Sequence, residues 1–358
     1  MSKSSLVHSV QTNACESSRN QKMLAAAVMF GTLVTATSVL AAGYSVTPIN
    51  TPGAAYRMSS SGAFAGSYIT KCTKLGGQPN YQICYAAAWY YDGQSIHKLS
   101  SNLWPANGYA LTYGINNSFE LVGQDSRTGS GGGWLYSGGT VTYSGSLPQG
   151  GGSTLNMINN NHVAVGTAYN SVPVARAVTF QNGVLSEVPA FSSNVWTSGV
   201  DINDAGWIAA WYREVDRTDH AFVYMNGAVA IIPVLAGTTT CYPKRISQQS
   251  GWVTGVCSDR GFLYNAVVNS PPVELLNFSG GSGGIEVWSV NSNGVVVGSV
   301  AGKAAVWPAG SANPVDLTLY VPGPWTVSRA MDINDAGTIV ANFVDGAHIY
   351  TNLLKPIP

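Results

Sequence analysis

The residue types that catalyse reactions or hold metals are sparse in this chain and lie far apart. His97, His162, His220 and His348 fall at unrelated registers. They form no His-Glu-x-x-His pair and have no carboxylate at a metal-ligand spacing, so no metal site is expected. Gly280-Gly281-Ser282-Gly283-Gly284 satisfies the Gly-x-Ser-x-Gly pattern of a nucleophile elbow. That device needs a strand running into a helix, whereas the flanking segments here read as strands joined by a glycine-rich crossover. Asp201-Ile202-Asn203-Asp204-Ala205-Gly206 recurs as Asp332-Ile333-Asn334-Asp335-Ala336-Gly337 and suggests a calcium loop. Such loops place oxygens at alternate positions, but Ala205 and Ala336 occupy the fifth, so a turn whose Asn and Asp bond their own backbone is expected instead. No catalytic residue and no cofactor is assigned. Carboxylates on separate segments, such as Asp216, Asp219 and Glu286, are what a hydrolase or lyase acting on polysaccharide would draw on.

Composition narrows the field further. Of 358 residues only 9% are charged, against roughly 25% in an average soluble protein, while 41 are glycine and 45% are hydrophobic. A helical bundle and a cytosolic α/β enzyme are both poor fits. Seventeen Lys and Arg balance seventeen Asp and Glu, which leaves no long-range field to draw in nucleic acid or an anionic membrane.

Arg19 and Lys22 precede a mostly apolar stretch, Met23 to Leu40, that ends in Val39-Leu40-Ala41-Ala42. Residues 1–42 read as an export signal with an extended n-region, cleaved after Ala41 or Ala42, and residues 43–358 as one domain. The alternatives are an uncleaved anchor near the lower length limit for crossing a bilayer and a start at Met23. After cleavage no integral membrane segment is expected, and the protein is secreted or periplasmic, with cell-surface association left open. Cys15 leaves with the leader, and in an oxidising compartment the four remaining thiols are expected to pair as Cys72 with Cys84 and Cys241 with Cys257, each pair being close in sequence. Zinc is the competing use of four cysteines, but there is no Cys-x-x-Cys among them.

An internal repeat decides the architecture. An aliphatic residue, then Asn or Ser, a short polar stretch usually holding Gly, and a β-branched run ending in Gly or Ala begins at Met58, Ile115, Ile158, Ile202, Ile246, Val290 and Ile333. The intervals are 57, 43, 44, 44, 44 and 43 residues. Each copy is followed by an apolar run ending in an aromatic, assigned to Tyr90, Tyr136, Phe180, Tyr224, Tyr264, Trp307 and Tyr350. In the fourth unit, 195–202, 207–212, 220–224 and 228–234 read as strands, with Asn226-Gly227 suited to a tight hairpin.

A lone four-stranded sheet of this kind leaves both faces wet, so it must stack on copies of itself. The period predicts an all-β fold, a seven-bladed β-propeller of four-stranded antiparallel blades; a β-helix with two coils per repeat is the alternative. Tyr44 to Ile49 is a candidate clasp that completes the last blade, although a strand near 353–357 competes for the same place.

His220-Ala221-Phe222, Val290-Asn291-Ser292-Asn293-Gly294-Val295-Val296-Val297-Gly298 and the apolar runs followed by Asn-Gly resemble the predicted extracellular HAF-repeat proteins over most of the chain after the leader. The tripeptide position departs from the pattern at Gly133-Trp134, Arg176-Ala177-Val178 and Gly261-Phe262, and Phe119 replaces the usual Gly in the second unit. The resemblance implies an exported bacterial propeller and brings no shared catalytic residues with it.

In a propeller the loops between second and third strands and the crossovers between blades emerge on one face. The long loops here belong to that face, namely the Cys72 to Cys84 insertion, Asp125 to Gly133, and Arg213-Glu214-Val215-Asp216-Arg217-Thr218-Asp219. Trp104, Trp196 and Trp325 lie on the crossovers. Loops carry function more often than scaffolds do, so Trp104, Trp196, Trp325, Arg213, Asp216, Arg217 and Asp219 are the expected ligand contacts, the tryptophans as anchors and the charges as a rim. The expected function is that of a noncatalytic exported module that binds a surface protein or a glycan.

Overall fold

The structure, a computed structural model, describes residues 38–39, 43–74, 82–104, 109–125, 132–171, 174–346 and 348–357. Six repeats each supply all four strands of an antiparallel sheet, and the seventh supplies three. These blades span residues 55–98, 110–143, 153–187, 196–231, 241–274, 285–316 and 327–356. The first strand of every blade packs against the first strands of both neighbours, including the seventh against the first, so the ring is closed. It is the predicted seven-bladed propeller.

Blade 4 shows how the residues dictate the sheet. Its strands are Trp196–Ile202, Ile208–Arg213, Asp219–Met225 and Ala228–Ile231, close to the expected bounds except that the last ends earlier. Asn226 and Gly227 both take positive φ, 53° and 80°, as the tight hairpin between the last two strands requires. Ala221, Phe222 and Val223 are buried on both sides of the sheet because neighbouring blades cover each face.

Hydrogen-bond register corrects two of the aromatic markers. Phe64 lies opposite Tyr91, not Tyr90, and Ile339 lies opposite Leu354, so Tyr350 sits four residues away from the equivalent place. The seventh unit's third strand runs unbroken as His348–Pro356. The competing fourth strand near 353–357 is therefore the end of that third strand. Tyr44–Ile49 pairs with it, from Tyr44 opposite Pro356 to Ile49 opposite Thr351, and completes the blade as the clasp was expected to. Ser38–Val39 pairs in turn with Val46 and Ser45; the rest of the expected export signal lies outside the described residues, as do 75–81 of the first insertion and 126–131 of the second loop.

The repeat motif has a mechanical meaning. The Asn after the aliphatic marker bonds its own turn and the next blade at once. Asn203 Oδ1 accepts the Trp207 N–H at 2.9 Å, while its Nδ2 donates to the Ser247 carbonyl at 3.2 Å. Asn116, Asn159 and Asn291 donate likewise to the carbonyls of Asn159, Asn203 and Asn334, at 3.1, 2.9 and 3.2 Å. Asp204 and Asp335, expected to bond their own backbone, instead accept from the preceding blade, from the N–H groups of Asn160 and Ser292 at 2.9 and 2.8 Å. Where Ser replaces Asn the link is made nearby: Ser250 Oγ donates to the Ser292 carbonyl at 2.8 Å, and the Ser61 N–H donates to Asn117 Oδ1 at 2.9 Å. The closing junction uses Asn342, whose Nδ2 donates to the Ala55 carbonyl at 2.8 Å.

One regular feature was not legible beforehand. All seven first strands break register just before the marker, for example between Gly199 and Asp201 and between Pro243 and Arg245. Such a bulge sharpens the local twist and re-aims the side chain that precedes it. Across from it the second strand needs a small residue. A Cβ on Gly166 would meet the Thr154 carbonyl oxygen at 1.8 Å, and one on Gly298 the Glu286 oxygen at 2.0 Å. Gly66, Gly123, Gly166, Gly255 and Gly298 avoid that clash in five blades, whereas blades 4 and 7 carry Ala210 and Ala341 there. The marker's own glycine position takes φ 77° at Gly206, and Phe119 and His162 adopt the same left-handed backbone there, at 58° and 61°. Phe119 is compensated by stacking on Tyr90, with ring centroids 5.5 Å apart.

The cysteines pair as expected. Cys72 is bonded to Cys84 and Cys241 to Cys257, each directly opposite its partner on adjacent strands with Cα atoms 4.0 Å apart. The first bridge has an exposed member, Cys72, and the second is fully buried between blades. Among the described residues no helix is long and apolar enough to cross a membrane.

Replacing Asn203 by Ala orphans the Trp207 N–H and the Ser247 carbonyl together, and should cost about 2–4 kcal/mol in urea unfolding at ~1–2 kcal/mol per lost partner. A loss below about 0.5 kcal/mol, the range of a surface substitution, would contradict the clasp. Under mild reductant, thiol labelling should find Cys72 and Cys84 first, while Cys241 and Cys257 become reactive only as the ring unfolds; simultaneous labelling would contradict the placement of the second bridge.

Candidate functional site

The best-formed surface site lies where the second and third strands of blade 4 rise above the ring. Trp196 pairs with Arg213, and Arg213 with Asp219, so three strand ends bring these side chains to one place. Arg213 donates to both carboxylate oxygens of Asp219, at 2.7 and 2.8 Å. Asp219 is buried and also accepts the Tyr242 hydroxyl from blade 5. The guanidinium lies over Trp196 at 5.8 Å and over Trp211 at 5.6 Å. A forked salt bridge of this kind with one buried member fixes the arginine far better than an exposed pair would.

This clamp positions the tip beyond it. Arg217 takes a left-handed φ of 71°, and Asp216 Oδ1 accepts the Thr218 N–H at 2.9 Å. Val215 is 100% exposed at the end of the hairpin. One groove on its side toward blade 3 is lined by Asn194, Trp196, Arg213, Glu214, Val215 and Arg217. A second on the other side is lined by Glu214, Val215, Asp216, His220, Val234 and Thr238.

The predicted contacts therefore divide. Trp196, 37% exposed, shares the first groove with Arg213 and Arg217, and Asp216 faces the second. Asp219 supports Arg213 from below. Trp104 is buried at 4% exposure with its ring 5.3 Å from Trp134, so it packs between blades 1 and 2 and is not on the loop surface. Trp325 lies half-buried against Phe343 and Tyr350, and its Nε1 donates to the Val321 carbonyl at 2.6 Å, which places it in blade 7's packing. Sequence reasoning missed Val215 at the hairpin end, where it lines both grooves, and Tyr242 as a support of Asp219. The former is an aliphatic residue inside a charged run, a signal that was present; the latter comes from the next repeat.

A second cluster, on the axis, was also missed. One place before the marker, blades 1, 4, 5 and 7 carry Arg57, Asp201, Arg245 and Asp332. Arg245 reaches across the ring, with nitrogens 3.3 Å from Asp201 Oδ1 and 3.3 Å from Asp332 Oδ2 and 3.1 Å from the Met157 sulfur. Asp201 and Asp332 also accept the N–H groups of Ile246 and Met58, at 2.7 and 2.8 Å, and Ser289 donates to Asp332. Two carboxylates and an arginine thus converge at the centre, but all three are buried and bonded to their neighbours. They plug the channel and leave no room for a substrate between them. Aligning the repeats on their markers stacks these four charges in one column, which is the sign that would have found them.

The histidines stand apart, as their registers imply. His97 pairs with Asp92 at 2.6 Å, His162 with Glu120 at 2.7 Å, and His220 with the Thr218 hydroxyl at 3.1 Å. Asp219, Glu286 and Asp216 do not form a unit either. Asp219 holds Arg213, Glu286 pairs with Arg329 at 3.0 Å across blades 6 and 7, and Asp216 caps the tip.

No protein-family model matches the chain, and no curated protein matches it. Among solved structures it is similar to the extracellular domain of a one component system from B. thetaiotaomicron, with TM-score 0.46 and 11% identity over 80% of this chain and 38% of that one. It is similar also to a puromycin-hydrolyzing peptidase from Mycobacterium tuberculosis, with TM-score 0.49 and 12% identity over 77% of this chain and 49% of that one. A gluconolactonase from Xanthomonas campestris follows, with TM-score 0.35 and 10% identity over 70% of this chain and 90% of that one. The chain thus spans less than half the length of the first two. At such identities nothing of those proteins' chemistry transfers to it.

Burial opposes ionisation of Asp219, but hydrogen bonds from Arg213 and Tyr242 together with the Arg213 charge outweigh it and hold its pKa below the usual carboxylate value. A carboxylate with a depressed folded pKa contributes stability above its unfolded value, near ~4, and loses it as pH falls through the folded value. The wild type should therefore weaken on acidification below about pH 4, and Asp219→Asn should be less stable at neutral pH with a shallower acid limb in thermal melts. An unchanged acid limb would show that the clamp contributes nothing.

Proposed function

We propose that this chain is an exported, noncatalytic binding module of the HAF-repeat type, which recognises a surface protein or a glycan through the face around the blade 4 hairpin. The carrying observation is the pairing of Trp196 and Val215 as two exposed apolar walls of one groove, with Glu214 and Arg217 as its polar rim and the Arg213–Asp219 clamp holding the geometry. Apolar anchors inside a polar rim, fixed before a partner arrives, are what a recognition surface needs to limit the entropy lost on binding. Export is supported by the two disulfides, which persist in oxidising compartments. The near absence of net charge speaks against nucleic acid as the partner. No cofactor is part of this function.

The runner-up, a hydrolase or lyase of extracellular polysaccharide, would need Asp216, Asp219 and Glu286 to act together. Each is instead engaged with a different partner, and the carboxylates that do converge, Asp201 and Asp332, are sealed.

Glycan and surface-protein arrays probed with the mature chain should yield a partner whose binding weakens about tenfold or more when Trp196 or Val215 is replaced by Ala, with Arg217→Ala giving a smaller loss. A partner bound equally well by all three variants would place recognition elsewhere, and turnover of a polysaccharide would replace this function with the enzyme.

A further inference from the structure

Each first strand runs from the crossover face toward the Asn turns, so residues equally far from the marker form layers around the axis. The ionic plug is one layer. The next layer toward the crossover face holds the seven bulged residues; six of them are half-buried, Asn156 and Val200 together with Tyr56, Tyr113, Lys244 and Trp288, so solvent reaches this layer. Arg57, in the plug layer, is half-buried as well. Lys244 Nζ lies 5.8 Å from the Trp288 ring centroid.

What distinguishes this place is a surplus of donors. Among the described residues the Arg57 guanidinium, the Lys244 ammonium and the hydroxyls of Tyr56 and Tyr113 have no hydrogen-bond or ion-pair partner, whereas Arg245 beside them is bonded on several sides. Charge points the same way. Arg57, Lys244 and Arg245 face Asp201 and Asp332, and Glu286 attracts Lys244 while it is paired with Arg329, so four cations meet three carboxylates and one positive charge is left uncompensated. Burial and mutual repulsion between Arg57 and its cationic neighbours push the pKa values of Arg57 and Lys244 down from their ordinary values. Half-buried, unpaired cations are costly unless something compensates them, and a neutral plug would have closed the channel as well.

We infer that the axial funnel is a binding site for a small carboxylate, taken between Arg57 and Lys244 with the hydroxyls of Tyr56 and Tyr113 as further donors and Trp288 as an aromatic wall. A guanidinium fork matches a carboxylate in two bonds. A ring attached to that carboxylate would lie against the aromatic side chains, so an acidic sugar and an aromatic acid are the two sources of the same chemistry. The site is separate from the blade 4 groove and stands whether or not that groove binds a partner.

Thermal melts and titration calorimetry of the mature chain with sodium glucuronate, sodium benzoate and, at equal ionic strength, sodium chloride test this. One of the two carboxylates should raise the melting temperature above the chloride control, and which one does so names the source. Lys244→Met should weaken that binding about tenfold or more while keeping the fold, since it removes an unpaired cation and keeps the stem; Lys244→Arg should retain it. Tyr113→Phe, which removes only a hydroxyl, should weaken it by a smaller factor. No shift beyond chloride with either carboxylate, or a shift of equal size in Lys244→Met, would overturn the site.

Discussion

The whole molecule depends on one hydrogen-bonding device, an asparagine that closes its own turn and reaches the next blade's backbone in the same posture. Asn203 does both, to Trp207 and to Ser247, and Asn116, Asn159 and Asn291 repeat it. A blade has two apolar faces and cannot persist without neighbours, yet apolar contact alone would let sheets slide past one another. Directional bonds from buried amides fix how far each blade is rotated from the last. The bulge before each asparagine and the small residue opposite it serve the same end, because they turn the strand so that the amide arrives at the neighbour.

With the blades so fixed, the centre and the rim can depart from the repeat without cost to the fold. At the centre, Arg245 ties blades 5, 4 and 7 through Asp201 and Asp332. Ring closure then joins the two ends of the chain, with Tyr44–Ile49 lying beside His348–Pro356. At the rim, the blade 4 hairpin carries a dense run of charge, and its base is locked by Arg213, Asp219 and Tyr242. Rigidity there is borrowed from the ring, since Tyr242 belongs to the next blade.

Much of this was legible in the sequence because the repeat carries its own grammar. The aliphatic marker opens every unit, followed by asparagine in five blades and by serine in two, since turn chemistry and inter-blade bonding both act on local residues. The aromatic marker was less secure. Tyr90-Tyr91 offers two candidates, and 348–350 imitates a strand end inside a strand that continues to Pro356, so only hydrogen-bond register separates them. Trp196, Arg213 and Arg217 came together because they sit at the ends of adjacent paired strands. Trp104 and Trp325 did not join them, because a crossover tryptophan gains more by packing on its own blades than by facing water. The axial charges show only when the repeats are aligned on their markers. They come from repeats more than forty residues apart, and they meet only because seven bulges aim that column inward.

The most direct test of the ring is native-state hydrogen exchange. The Trp207, Val295 and Thr338 amides, held by asparagine side chains, and the Met58 and Ile246 amides, held by the axial aspartates, should exchange only through global unfolding. The amide of Thr218 in the blade 4 tip should exchange by local opening. Turn amides that open as readily as that tip would contradict an account in which these turns bind the blades together.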